Sequence, residues 1–437
     1  MTRTAKPSPW PSLPSPRTGT SHARARRRDR RVYLAAHPLL FGLLAVDRRR
    51  SAGKVGGTVL VHGAEAYREA LTRLPLDRTA AGTTGGAARA ALGDSRGPAA
   101  SRGTDDGGVL FDQEGDGHRA ARRDLAGRLG AEGVARLRAV WRPALDAATA
   151  RLDRGHEVDL VDLARALSGS VVCALLDRDA DPLEVADAAL DAASAAVRGH
   201  LPGPRRRSAA TAARATTRLQ HLLATDSALD TMVAVAAVTT TVAALPRAVA
   251  WCADAGLWAQ AEHAASRPGR VPGPGSDLAP ALADELLRVL APSPVLPRVA
   301  AADGSVGGCP VRAGDRLVLV ARHAADAHRR DPDAGRPADA SLAHLVFGAG
   351  PHTCPGARAA RTQLADVLTA LAPFRPTVAR ARADRRAALP SWRSLTIRAT
   401  RPAAAPEPVR ASGPARSEGP YGATAPGPGR PAAGPRP

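Results

Sequence analysis

Residues 344–364 read HLVFGAGPHTCPGARAARTQL, and no other stretch of the chain carries so strong a local signal. Glycines at 348, 350 and 356 bracket one cysteine, Cys354. Pro355 suits the first turn of a helix, and the pattern beyond it becomes helical. A cysteine at the head of a helix lies beside N–H groups without intrahelical partners, which stabilise its thiolate. Gly348 and Gly350 allow the backbone to approach a flat partner where a side chain would collide. A thiolate cradled in this way suits an axial haem ligand, but the spacing alone leaves a reactive nucleophile and an inert buried cysteine open as well.

The run Phe347-Gly348-Ala349-Gly350-Pro351-His352-Thr353-Cys354-Pro355-Gly356 resembles the cysteine-ligand loop of the cytochromes P450, with phenylalanine, two glycines, a basic residue, cysteine and glycine at the family's spacing. The resemblance implies that Cys354 ligates the iron of haem b (iron protoporphyrin IX), with Phe347 packed beside the thiolate. Gly348, Gly350 and Gly356 would then shape the loop, and His352 would lie near a haem propionate. Further segments follow in the family's order. Glu285-Leu286-Leu287-Arg288, 69 residues before Cys354, is similar to the family's Glu-x-x-Arg pair. Three residues apart on a helix, the two heads share one face. Arg336 is the nearest match to the arginine that completes that network. Arg298, in VLPRVAAAD, resembles the propionate-binding arginine at the start of a small sheet. ARHAADAHRRDP, residues 321–332, resembles the stretch after the next strand, without its usual asparagine. His118 and Arg122, four apart on one helical face, resemble a pair of haem contacts.

One departure touches the chemistry. Residues 227–252, SALDTMVAVAAVTTTVAALPRAVAWC, form the least polar helical candidate, a helix expected to cross the middle of the fold and to bend near Pro246. Its Ala236-Ala237-Val238-Thr239-Thr240-Thr241 aligns best with the family's Ala-Gly-x-acid-Thr-Thr. Thr240 then matches the oxygen-handling threonine, and Thr239 stands where Asp or Glu is usual. A slip by one residue does not restore the acid. Oxygen activation needs protons, and a hydroxyl beside an acid relays them better than a hydroxyl alone. The resemblance therefore implies a monooxygenase, with a peroxide-driven or redox-neutral haem-thiolate enzyme and a non-catalytic haem or interaction protein as alternatives.

Composition bounds the rest. The chain has 437 residues, 44% hydrophobic and only 3% aromatic, with 41 glycines and 38 prolines. It can bury a core, so wholesale disorder is excluded. Four dispersed cysteines make neither a disulfide scaffold nor a zinc module. No run of 18 apolar residues predicts a transmembrane anchor. Formal charge is +20, of which residues 1–31 hold +8 and residues 401–437 hold +3. Both flanks read as basic, Pro-rich disordered tails around a domain at 32–400, so the charge is weak evidence for nucleic acid. VYLAAHPLLFGLLAV, residues 32–46, reads as a helix packed on the core, interrupted at His37 and Pro38; export and surface membrane contact are lesser readings.

Between the flanks, 3.6-residue periodicity predicts helices over 118–152, 157–177, 182–200, 208–224, 227–252, 278–291 and 356–372. Period-two runs over 295–323 predict a small sheet. The fold class is mainly α with a small β-sheet region. The resemblance further implies a monomeric, cytoplasmic enzyme taking an apolar small molecule and dioxygen. Electrons would come from a ferredoxin and its reductase or a flavin-type donor, docking near Arg358 and Arg361.

Overall fold

The computed structural model describes residues 18–77, 79–83, 86, 116–200, 209–262 and 278–400. Within them the chain is mostly helical, and the least polar helix, Ala228–Ala255, runs through the centre. Ser227 caps it, accepting from the Asp230 N–H at 3.2 Å, and Gly256 ends it in the left-handed region. It passes through Pro246 without a break, and residues 242–252 are buried throughout. An 18-residue window of this helix has mean hydropathy 1.7, enough in length and composition to cross a membrane. Here Leu160–Leu176, Pro182–His200 and Leu278–Leu290 pack against it instead.

Helix Leu160–Leu176 starts three residues inside the expected 157–177, after the short strand Val158–Asp159, and Asp159 caps it by accepting from the Val161 N–H at 2.8 Å. The single helix expected over 118–152 is two, Asp116–Leu129 and Ala131–Asp153. Gly130 is extended between them, and the join is tight: a Cβ on Gly133 would lie 1.8 Å from the Arg128 carbonyl oxygen. Pro143 sits inside the second helix.

The main sheet has the order β1-β2-β8-β5-β3: β1 Ala52–Val55, β2 Thr58–Val61, β3 Leu76–Asp77, β5 Leu296–Ala300 and β8 Arg316–Leu319. Only the β2–β8 pair is parallel. Helix Ala64–Thr72 packs in the small core on this sheet through Tyr67, Ala70 and Leu71. Strands β4 Val158–Asp159, β9 Thr377–Ala383 and β10 Trp392–Arg398 form a second sheet, and β6 Gly304–Val306 with β7 Cys309–Val311 a hairpin.

The front of the chain corrects the boundary at residue 31. Residues 18–31 belong to helix Thr18–Ala36, which packs on the central helix. Asp29 is buried and accepts from Arg247 Nε and from Arg322 Nη1, each at 2.8 Å. Arg28 chelates Asp254 at 2.5 and 3.1 Å, and Arg26 meets Asp331 at 2.7 Å. Part of this arginine-rich run therefore answers carboxylates elsewhere in the domain. The expected tail at 401–437, and residues 1–17, lie outside the described residues.

Candidate active site

The Cys354 loop is built from two short turns. A 3-10 helix His344–Phe347 ends at Gly348, whose φ of +84° only glycine adopts readily. A second, Gly350–His352, opens with a further left-handed glycine, Gly350 at +70°. A Cβ there would meet Thr72 Cγ2 at 3.0 Å, so the loop lies hard against the Ala64–Thr72 helix. The Cys354 N–H donates to the Phe347 carbonyl at 2.8 Å, folding the loop back on itself. Helix Ala357–Leu371 then starts from Gly356 as N-cap. The Cys354 thiol is exposed, forms no disulfide and stands three residues before the helix. Phe347 is partly buried against the main core.

Behind the loop lies a buried ion pair. Glu285 and Arg288, on helix Leu278–Leu290, are both 0% exposed. Arg288 Nε donates to Glu285 Oε1 at 3.0 Å and Nη2 to Oε2 at 2.7 Å, a two-pronged bond. Its remaining donors reach the carbonyls of Ala325 and Arg330, at 3.0 and 3.2 Å. Glu285 also accepts from the backbone N–H of Ala338 at 2.9 Å. The pair thus ties residues 325–338 to the helix that packs on Ala357–Leu371. Arg336 is not its third member: its side chain is 88% exposed and pairs with Asp333 at 3.2 Å. The backbone N–H of Ala338 takes the place expected of that arginine on Glu285.

Next to it, Asp284 chelates Arg361 at 2.5 and 2.6 Å. Arg361 therefore joins two helices of the domain, and Arg358 is the exposed cation of the two expected to face a redox donor.

On the central helix both threonines bond back to their own turn, Thr239 to the Val235 carbonyl and Thr240 to that of Ala236 at 2.7 Å. Thr239 is buried, while Thr240 is more open, which favours the register in which Thr240 handles oxygen. The nearest acids on this helix are Asp230 and Asp254. At 1.5 Å rise per residue they stand roughly 15 and 21 Å along the axis from Thr240. Asp230 takes Thr225 and Arg178, and Asp254 takes Arg28. Neither is placed to supply Thr240 with protons.

Arg298, on β5, donates to the Pro297 carbonyl at 2.8 Å. Near it stands Tyr67, fully buried, whose hydroxyl has no hydrogen-bond partner among the described residues. Burial pushes the Tyr67 pKa up, and the Arg298 guanidinium works against that rise. A buried hydroxyl beside a guanidinium suits a carboxylate, so these residues fit a haem propionate. The exposed thiol at a helix head and the two left-handed glycines fit the macrocycle. Sequence reasoning missed Tyr67, for which burial is the signal and no motif exists. His352 lies in the turn before Cys354. His118 and Arg122 fall on helix Asp116–Leu129, in the part whose side chains lie outside the described residues.

Comparisons agree with this architecture. No protein-family model matches the chain. An epothilone D-bound cytochrome P450 superposes with a TM-score of 0.62 at 18% identity, covering 84% of this chain and 97% of that one. The P450 haem domain of Tepidiphilus thermophilus gives 0.61 at 21% identity, covering 84% and 94%. Among curated proteins, the 20-oxo-5-O-mycaminosyltylactone 23-monooxygenase of Streptomyces fradiae is 40% identical over 106 residues. That match spans 23% of this chain and 25% of the relative. The chain thus aligns with about a quarter of the length of such relatives. Mainly helical, with a small mixed sheet, a buried Glu-x-x-Arg pair and a cysteine loop at the head of a helix, the chain has the fold of the cytochromes P450.

Proposed function

We propose that the protein is a haem-thiolate monooxygenase that inserts an oxygen atom from dioxygen into an apolar small molecule of specialised metabolism. The observation that carries this reading is the Cys354 loop, with an exposed thiol, a 2.8 Å bond from its N–H to Phe347 and left-handed Gly348 and Gly350. Haem b supplies dioxygen activation when bound, and the chain's residues supply everything around it. Cys354 would hold the group by its sulfur, from its place at the head of helix Ala357–Leu371. Arg298, with Tyr67 beside it, receives a propionate; His352, His118 and Arg122 are the further contacts proposed from the family pattern. Glu285 and Arg288 hold the preceding segment in place. Thr240 Oγ holds water or substrate hydroxyl at the oxygen-binding face, while Thr239 packs in the core. Val233, Ala236 and Ala237, half-buried and seven, four and three residues before Thr240 on its side of the helix, give that face an apolar surface suited to an apolar substrate. Similarity to the Streptomyces fradiae monooxygenase and to a Nocardia uniformis nocardicin C N-oxygenase supports specialised metabolism as the setting. A ferredoxin with its reductase, or a flavin-type donor, would deliver electrons to a monomeric, cytoplasmic enzyme.

The distal helix favours a second reading. With Asp230 and Asp254 both far from Thr240 and both paired, no carboxylate on this helix serves the proton relay. Peroxide, which brings its own protons, would bypass that need. Product formation with reductant and dioxygen, set against peroxide alone, separates the two. The monooxygenase reading expects turnover with dioxygen that falls in Thr240→Val and is spared in Thr239→Ser. Turnover with peroxide only would overturn it.

A further inference from the structure

A second constellation lies apart from the cysteine loop, where helix Pro38–Asp47 ends. Leu39, Leu43 and Val46 on that helix are 82%, 70% and 81% exposed. Their spacing of four and three residues puts them on one face. Gly42 shares that face, and nothing lies within 4 Å of where its Cβ would stand. The opposite face is packed: Leu44 is buried, and Phe41 meets the Tyr33 ring edge-on at 4.9 Å. The helix is therefore held firmly by one side and presents large aliphatic groups to water on the other.

The chain runs straight from this helix into Arg48, Arg49 and Arg50, all exposed and without a carboxylate partner among the described residues. The three arginines line a cavity of about 280 Å3 together with His62, His323 and His328. His62 and His323 approach to 2.8 Å between their Nδ1 atoms, and the His323 and His328 rings lie 5.2 Å apart. Asp326, a carboxylate on the cavity wall, is taken by Arg329 at 3.4 Å. Burial first, then the neighbouring rings and cations, pushes the His323 pKa down to about 3. Burial likewise lowers the His328 pKa. His323 thus stands as a neutral hydrogen-bonding group, and the arginines carry the charge. A cavity of this kind suits a phosphate, with guanidinium forks and imidazole N–H groups as donors.

Cations alone would suit any phosphate, free or polymeric. The adjoining aliphatic stripe selects among the sources, since a bilayer offers phosphate and hydrocarbon at one surface. Ten residues are too few to span a membrane, so such a helix lies in the interfacial plane. We propose that helix Pro38–Asp47 and Arg48–Arg50 dock the protein peripherally on an anionic phospholipid surface. The stripe enters the acyl boundary, and the arginine and histidine cavity takes a head-group phosphate. This inference does not depend on haem or on turnover.

Co-sedimentation of the full chain with phosphatidylcholine vesicles, with and without phosphatidylglycerol, tests it. Binding is expected to the anionic vesicles and not to phosphatidylcholine alone. Each arginine near an anionic surface contributes about fivefold in affinity, so a variant with Arg48→Gln, Arg49→Gln and Arg50→Gln should bind roughly a hundredfold more weakly. A variant with Leu39→Ser, Leu43→Ser and Val46→Ser keeps every charge and alters only exposed groups. It should retain the wild-type circular dichroism and lose about tenfold or more in affinity. Three results would overturn the proposal. One is no binding to anionic vesicles, and a second is undiminished binding by the stripe variant, which would leave charge alone responsible. The third is self-association of the wild type, seen by ultracentrifugation and abolished in the stripe variant, without vesicle binding.

Discussion

Replacing Asp29 by alanine should destabilise the whole domain, although residue 29 lies in a run that reads as a solvated tail. Asp29 is 4% exposed and neutralises two cations, accepting from Arg247 Nε and Arg322 Nη1 at 2.8 Å each. The Arg247 side chain is 1% exposed, and its other bonds run to neutral acceptors, the Tyr33 hydroxyl at 2.6 Å and the Leu290 carbonyl at 2.9 Å. Removing the carboxylate leaves that guanidinium charged, buried and uncompensated. Stripping one partner from a buried pair costs about 3–5 kcal/mol. Arg322, 20% exposed, has a partial route to water and adds less. A suitable control is Arg380→Ala, whose pair with Glu157 is exposed and contributes about 0–1 kcal/mol. Urea unfolding followed by circular dichroism measures both variants on the same scale. Acid adds a second arm. Burial alone would raise the Asp29 pKa, but Arg247 and Arg322 outweigh it and hold it below its ordinary 3.8. The ionised carboxylate therefore stabilises the fold fully above pH 3.8, and that contribution is lost as pH falls through the lower folded value. The gap between wild type and Asp29→Asn should close only in that acid range. If Asp29→Ala differs from wild type by no more than Arg380→Ala does, helix Thr18–Ala36 is not held by this pair and the argument fails.

Glu285→Ala should cost about 3–5 kcal/mol, since it orphans Arg288 at 0% exposure, whereas Arg336→Ala should stay within about 0.5 kcal/mol of wild type. Thermal unfolding of the two variants side by side reads the difference, and a large loss in Arg336→Ala would restore that arginine to the network. Gly350→Ala forces a Cβ into φ +70° against Thr72, at a cost of about 1–2 kcal/mol, and should lower haem content. Gly127→Ala, inside a helix and with open space around it, should be neutral or stabilising by up to about 1 kcal/mol, so equal effects on unfolding would refute the loop geometry. Between pH 3 and 6.5 the unfolded chain protonates His323 while the folded chain does not, so stability should rise with pH across that window and rise less in His323→Gln. Denaturation midpoints at pH 4 and pH 6.5 check this, and identical slopes in the two proteins would contradict it.

Much of the architecture is legible because periodicity survives an alanine-rich and arginine-rich composition. The helices 157–177, 227–252 and 278–291 and the strands of 295–323 appear within a few residues of their expected places. Two kinds of feature escape sequence reading. One is the tertiary use of charge: Asp29, Asp254 and Asp331 engage arginines that in sequence resemble a solvated run. Charge runs carry no signal of their distant partners, so the boundary expected at residue 31 falls inside helix Thr18–Ala36. The other is substitution of backbone for side chain, as where the Ala338 N–H serves Glu285 and leaves Arg336 in solvent. The break at Gly130 was hidden because arginine, alanine and leucine keep helical spacing on both sides of it. The left-handed Gly348 and Gly350 and the Glu285–Arg288 pair stand where local spacing puts them. Tyr67 has no such local signal, because its significance comes from a neighbour more than two hundred residues away.

The central claim is thiolate ligation of haem by Cys354, and the carbon monoxide difference spectrum of the reduced protein tests it most directly. The account predicts the strongly red-shifted Soret band that a thiolate ligand produces, and its loss in Cys354→Ser and Cys354→His. A well-folded protein that takes up no haem, or a reduced spectrum unchanged by Cys354→Ser, would contradict it.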